Sequence, residues 1–295
     1  HLQADGIIGK KTINALNIPL SAKIDSIRAN MERLRWVLKD LQEDYILVDI
    51  AGFEIHLYEN SARIWSARAQ VGRPYRETPV FKSQIEYLEW NPDWTVPPTV
   101  IKEDLLPKIV SNPDYIPEHN FQLLDHSNQP LAMSEVSWDQ LDANHIPFKL
   151  RQAPGPKNAL GRVKFIFPNP HYVYLHDTPS KQLFNAGQRA FSSGCIRIEK
   201  PYELAEMLLA SASAQKKQGK SRKKRIEKIL KSNLQEREYL PEPIPILLIY
   251  RTVQVTDDGR LKFNPDIYSR DKILLAALDQ PEDSLQIRSS ALSRH

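Results

Sequence analysis

The chain has a single cysteine, Cys195, in 295 residues. A lone thiol cannot close an internal disulfide, so a disulfide-stapled fold is excluded and cysteine usage does not fix the redox compartment. No apolar stretch reaches the ~18 residues that a membrane-spanning helix needs. The first residue is His1 rather than methionine and no signal peptide is recognisable. The expectation is a processed or trimmed fragment, with any targeting or anchoring segment upstream. Internal repeats are absent as well, so no repeat array is expected. His56, His119, His126, His145 and His171 show no HxxxH or HxH spacing. A metal site is therefore not expected, nor is any cofactor.

What is present is the composition of a soluble globular protein, 41% hydrophobic and 26% charged. The length can bury at least one full core and suggests about two domains. The net charge of +4 is local in origin. Residues 216–231 (KKQGKSRKKRIEKILK) carry nine Lys or Arg and one Glu, and the remainder is slightly acidic. Such a run reads either as a solvated helix face or as a contact for polyanionic wall polymers or nucleic acid. It lacks the interleaved aromatics of a single-strand binder, and no nucleic-acid partner is expected.

The hydrophobic period changes along the chain. Thr12 to Leu16 reads as a short helix after turn residues Asp5-Gly6 and Gly9. Over 21–41, Ile24, Ile27, Met31, Leu34 and Leu38 recur at helical spacing, with Arg28, Glu32, Arg35 and Lys39 on the opposite face. From Tyr45 the period is that of strands. YILVDI, FEIHLYEN and RIWSARAQVG read as a meander broken at Ala51-Gly52 and Asn60-Ser61, and 81–90 continues it. The proline-rich stretch that follows, up to about Ala153, reads as an insertion into the sheet. Strands return at 162–167 and 171–176, a helix at 201–212, and a closing hairpin turns at Asp258-Gly259.

The segment AFSSGCIRIEKP surrounds the cysteine, and HYVYLHDTPS places His176 at a strand end. Tyr172, Tyr174 and His176 alternate and so share one face. Tyr172 is expected in the core. A cysteine of this kind is either a small buried hydrophobe or a nucleophile. An adjacent imidazole would lower the thiol pKa and supply thiolate at neutral pH. Gly194 allows close approach of a substrate carbonyl, and the N–H of Cys195, with that of Gly194 or Ser193, could stabilise an oxyanion.

YLHDTP…SSGCIRI resembles the signature of the L,D-transpeptidase family, in which a strand-borne His precedes a Ser/Thr-His-Gly-Cys-hydrophobic-Arg segment by about a score of residues. Here His176 and Cys195 are 19 apart, and Ser192, Gly194, Cys195, Ile196 and Arg197 fall in place. Ser193 replaces the commoner His. That departure, with EWNPDWTVPPTVIKEDLLPKI and DGRLKFNPDIYSRD, is similar to the large Gram-negative branch that has a capping insertion. DGIIGKKTINALN resembles the end of a peptidoglycan-binding module.

The resemblance implies an α+β fold. Its β-sandwich-like catalytic core would span 45–271, interrupted by a helical and loop capping insertion at 99–153. Flanking it would be a module remnant at 1–20, a linker helix at 21–44 and a tail at 272–295. It implies a peptidoglycan transpeptidase in the periplasm, reaching the membrane only through an upstream anchor. Tetrapeptide stems would be donor and acceptor, and carbapenems covalent inhibitors.

In that reading Cys195 is the nucleophile, His176 the base, and Gly194 and Ser193 shape the catalytic loop. Tyr174 lines the site. Arg197 either braces the loop or contacts a stem carboxylate. Trp94 either meets the stem or packs at a hinge. A backbone carbonyl or Asp177 would orient His176. Competing readings are an L,D-carboxypeptidase, another cysteine peptidase or sortase-like transferase, and a non-catalytic wall-binding protein.

Overall fold

A computed structural model describes residues 2, 6–37, 41–112, 114–138, 141, 146–210 and 219–280. Helices α1 (Lys10–Leu16) and α2 (Leu20–Val37) precede strands β1 (Tyr45–Asp49), β2 (Glu54–Glu59) and β3 (Ala62–Gly72). The expected helix over 21–41 is thus α2, and residues 38–40 lie outside the described ones. The three strands pair antiparallel in order, as the meander reading anticipates. Asn60 and Ser61 join β2 to β3 with φ of 52° and 62°. Two successive left-handed residues give the turn whose twist matches a hairpin. Strand β4 (Phe81–Trp90) follows.

The chain then leaves the main sheet. It forms β5 (Trp94–Thr95), α3 (Pro98–Val100), a π-helical stretch Ile101–Leu105, α4 (Leu106–Ser111), α5 (Tyr115–Glu118), β6 (Phe121–Leu124) and β7 (Lys149–Gln152). β5, β7 and β6 make a separate small sheet over an apolar cluster of their own, which includes Ile109, Leu150 and Phe148. The chain re-enters at β8 (Val163–Ile166), which pairs directly with β4. The excursion is therefore inserted between two hydrogen-bonded neighbours.

After β9 (Leu175–His176), β10 (Ala190–Ser192) and β11 (Ile196–Ile198) come α6 (Pro201–Ala210) and α7 (Gly219–Ser232). Next are β12 (Glu236–Ile249), the hairpin β13 (Val253–Val255) and β14 (Leu261–Phe263), and α8 (Arg270–Leu278). Residues 211–218, with the start of the basic run, lie outside the described ones. In α7, Ile226 and Ile229 are buried, while Arg225 pairs with Glu236 and Glu238, and Lys223 with Glu206.

The main sheet has the order β10-β3-β11-β9-β8-β4-β12-β1-β2, and β2 also pairs with β3. It therefore wraps round on itself, giving the α+β class with a β-sandwich-like core. Ile196, Leu175, Phe165 and Leu88 lie in one row across four neighbouring strands and are fully buried. Each such side chain contributes roughly 1.5–3 kcal/mol.

Candidate active site

The face opposite that apolar row has another character. Register places Gln70, Arg197, His176, Lys164, Glu89 and Arg237 abreast on β3, β11, β9, β8, β4 and β12. Paired residues share a face, because side chains alternate along a strand. One polar row thus runs across six strands, and none of its members belongs to the main apolar cluster. Cys195 precedes β11, and the Ile196 N–H donates to the Tyr174 carbonyl at 2.9 Å. Cys195 and Tyr174 are therefore level with each other, one step of the alternation from Arg197 and His176, and on the same face.

The loop carrying Cys195 is held from several sides. The Ser192 hydroxyl donates to the Cys195 carbonyl at 2.6 Å and accepts the Gly194 N–H at 3.1 Å. That N–H, a candidate oxyanion donor on sequence grounds, is thus engaged within the loop. Gly194 has φ of 111°, a conformation that side-chain-bearing residues rarely adopt. Its carbonyl accepts the Thr78 hydroxyl at 2.8 Å. The peptide unit is planar and trans, so pinning this carbonyl directs the Cys195 N–H the opposite way. Thr78 also accepts the Gly72 N–H at 2.9 Å, and the Tyr268 hydroxyl donates to the Gly72 carbonyl at 2.7 Å. The Ser193 hydroxyl meets Arg76 at 2.6 Å, where the commoner family residue would place an imidazole.

His176 is buried, and its Nδ1 donates to the Asp177 carbonyl at 2.5 Å. A carbonyl only accepts, so this bond places the proton on Nδ1 and leaves Nε2 as the basic nitrogen. The Asp177 carboxylate does not serve the ring. It accepts Lys181, the Arg162 N–H and the Tyr202 hydroxyl. Between the two orienting groups that the sequence left open, the geometry selects the backbone carbonyl.

Burial and then the Arg197 charge push His176 down to about 3. The half-buried Cys195 thiol is pushed up by desolvation, against the Tyr174 N–H and the charges of Arg197 and Lys164. The expected lowering of the thiol pKa is reversed, because desolvation outweighs its cationic neighbours. At neutral pH both groups rest uncharged. Among the described residues no hydrogen bond joins the sulfur to the imidazole, and the Tyr172 carbonyl lies 3.9 Å from Sγ.

Tyr172 itself departs from expectation. It is 79% exposed with φ of 54° and lies outside β9. The Asn169 side chain accepts the N–H groups of His171 and Val173, and that turn throws the intervening residue out of the strand. Tyr174 stays in the site, half-buried, with Lys164 Nζ 4.0 Å from its ring centroid. The Trp94 ring packs near Phe121 on the inserted unit's own cluster.

Sequence reading did not single out Thr78, Lys164, Gln70, Arg73, Arg76 or Asp104. Arg76 donates to Asp104 at 2.6 Å, pairs with Glu103, and holds Ser193. Arg73 donates to Asp104 at 3.0 Å and to the Phe191 carbonyl at 3.1 Å. The inserted unit's π-helical stretch is so tied to the cysteine loop, and π-helical turns recur at functional sites. No local motif marks these residues.

Fold and site together define an α+β domain with a cysteine and a histidine on one polar sheet face. Residues 43–225 match the YkuD family model, the L,D-transpeptidase catalytic domain, and the chain belongs to that family. It is 34% identical over 276 residues to a provisionally named L,D-transpeptidase of Haemophilus influenzae. The match covers 92% of this chain and 54% of that protein, so the chain spans about half the length of this curated relative. Among solved structures it is similar to the ertapenem-acylated catalytic domain of the E. faecium L,D-transpeptidase. That match has 10% identity and a TM-score of 0.33, over 71% of this chain and 99% of the other. It is also similar to an L,D-transpeptidase from Mycobacterium smegmatis, at 11% identity and a TM-score of 0.31, over 70% and 58%. Among the described residues no helix is long and apolar enough to cross a membrane.

Proposed function

We propose that the protein forms 3→3 cross-links in peptidoglycan through an acyl-enzyme on Cys195. The observation that carries this reading is the shared face of Cys195 and His176, on a loop whose Gly194 carbonyl is pinned by Thr78. The sulfur attacks the carbonyl between meso-diaminopimelate and the terminal D-alanine of a tetrapeptide stem. A carbon–sulfur bond forms, the carbon–nitrogen bond breaks, and D-alanine leaves with the thiol proton. His176 carries that proton through Nε2. The Cys195 N–H faces the developing oxyanion. The side-chain amine of a second stem's diaminopimelate then displaces the thioester sulfur, and the proton returns to it.

Because thiol and imidazole rest neutral, proton transfer is coupled to arrival of the donor rather than stored as an ion pair. Tyr174 and Arg197 line the donor groove, and Trp94 borders it from the inserted unit. Gly194 and Ser193 shape the loop. The catalytic domain is assigned to 45–271, with 99–153 as a lid that excludes water from the thioester. Residues 1–20 are assigned to a wall-binding module, 21–44 to a linker and 272–295 to a tail, in a protein of the periplasm anchored upstream.

Intact mass after carbapenem exposure tests the nucleophile. One adduct is expected on the parent and none on Cys195→Ala. Tetrapeptide muropeptides test the reaction. Dimers identify a transpeptidase, and tripeptide alone would make the protein an L,D-carboxypeptidase.

A further inference from the structure

Four cations lie around the cysteine loop, and three have carboxylate partners. Arg73 and Arg76 share Asp104, and Arg76 also takes Glu103. Lys164 faces Glu89 at 3.9 Å. Arg197 differs. Among the described residues no carboxylate lies within ion-pair distance of it, and its one side-chain partner is Gln70 Oε1 at 3.5 Å. Arg197 Nε and Gln70 Nε2 are both buried donors without an acceptor. Gln70 is fully buried, whereas Arg197 keeps part of its surface at solvent. A largely desolvated guanidinium without a counter-ion, backed by an amide that is itself unsatisfied, is a site lacking an anion.

We infer that Arg197, held by Gln70, is a carboxylate subsite whose ligand is the free C-terminal carboxylate of the acyl donor, one residue beyond the scissile carbonyl. The inference rests on the acyl-transfer reading above and names the donor group that this reading leaves unplaced. Arg197 lies two positions after Cys195 on the same face, ~6.6 Å along the strand. One residue of donor backbone spans at most ~3.6 Å, and the guanidinium covers the remainder. A carboxylate on Arg197 and a carbonyl at Sγ place the leaving nitrogen between the two side chains. His176 is abreast of Arg197 on the neighbouring strand, beside that nitrogen. The group that must receive the thiol proton then lies next to the group that delivers it.

Docking has a second consequence. The Arg197 charge is one of the two leading influences that keep the imidazole neutral. A bound carboxylate offsets that charge and makes the ring a stronger base when the correct donor is present. A donor capped as the amide fills the groove without this effect.

The test compares a tetrapeptide stem with its C-terminal D-alaninamide. With Cys195→Ala protein, calorimetric binding reads the subsite without chemistry. The acid is expected to bind tighter by roughly tenfold or more, the worth of one charge-assisted hydrogen bond. In Cys195→Ala/Arg197→Gln and in Cys195→Ala/Gln70→Glu, whose new carboxylate would occupy the guanidinium, the preference should fall to about one. Arg197→Lys should retain part of it, separating charge from loop packing. With Cys195 intact, the acidic limb of the acylation pH profile should lie higher for the acid than for the amide. Equal binding of acid and amide to Cys195→Ala, or a preference that survives both double variants, overturns the subsite. Absence of an acyl-enzyme on the parent, with the binding preference intact, overturns the acyl-transfer reading and leaves the carboxylate subsite standing.

Discussion

The main sheet and the inserted unit are held together by different physics. The sheet buries a large continuous cluster running from Ile46 to Tyr268, and each of its strands except β10 has paired neighbours on both sides. The inserted unit has a smaller cluster of its own. Near the cysteine its join to the sheet is ionic, through Arg73, Arg76, Asp104 and Glu103. Apolar burial is not weakened by charge screening, whereas partly exposed ion pairs are. The same molecule thus has a rigid platform for the nucleophile and a neighbour whose attachment responds to solution conditions.

The sharpest way to break that contrast is to hollow each core in turn. Phe165→Ala should lower global stability by about 3–5 kcal/mol, read by denaturant unfolding. Ile109→Ala, about 2–5 kcal/mol by the same principle, should appear chiefly as faster amide exchange within 94–152. Uniform loss of protection across both regions in each variant would make them one cooperative unit.

Next in size is Thr78→Val, which removes the hydroxyl that holds both Gly194 and Gly72. A drop in kcat of about 10- to 100-fold is expected, with KM nearly unchanged, because the pinned peptide loses its aim. A change confined to KM would assign Thr78 to substrate binding instead.

Acid should act on the sheet before it acts on the join. His176 and His56 are held at about 3 and about 4, each below the usual histidine value of 6.5. Their stabilising contribution is complete above about 6.5 and is lost as pH falls from there toward those values, because the unfolded chain takes up the protons first. Asp104 is also lowered from 3.8, opposed by burial and driven by Arg73 and Arg76. Its contribution is present above 3.8 and is lost only as pH falls further. The thermal midpoint should therefore fall between pH 6.5 and 4 while salt sensitivity of the insertion persists.

The smallest expected effect is that of Asp104→Asn, about 1 kcal/mol at the join. Exchange in 101–111 should rise at low salt and match the parent at high salt. Identical exchange at every salt concentration would show that the ion pairs do not hold the insertion in place.

Much of the platform was legible beforehand. YILVD, EIHLYE and the run from Ala62 to Gly72 advertise strands through alternation and β-branched content, and Asn60-Ser61 marks their hairpin. The alternation of Tyr172, Tyr174 and His176 puts Tyr172 in the core, but that pattern is local, whereas the turn organised by Asn169 is set by side-chain hydrogen bonds. The reversed thiol pKa was hidden for a related reason. Spacing reports which charges are near but not how much water is excluded.

Sequence alone carried the resemblance to the family and singled out a thiol and an imidazole as the candidate pair, since a cysteine after glycine and a histidine 19 residues before it are matters of residue type and spacing. Only the tertiary structure decided what surrounds them. Gln70 and Lys164 reach the polar face through strand register, whereas Thr78 and Asp104 meet the cysteine loop through a loop contact and through the inserted segment. Register depends on which strands become neighbours, and one polar side chain in a strand looks like any other until its partner is known.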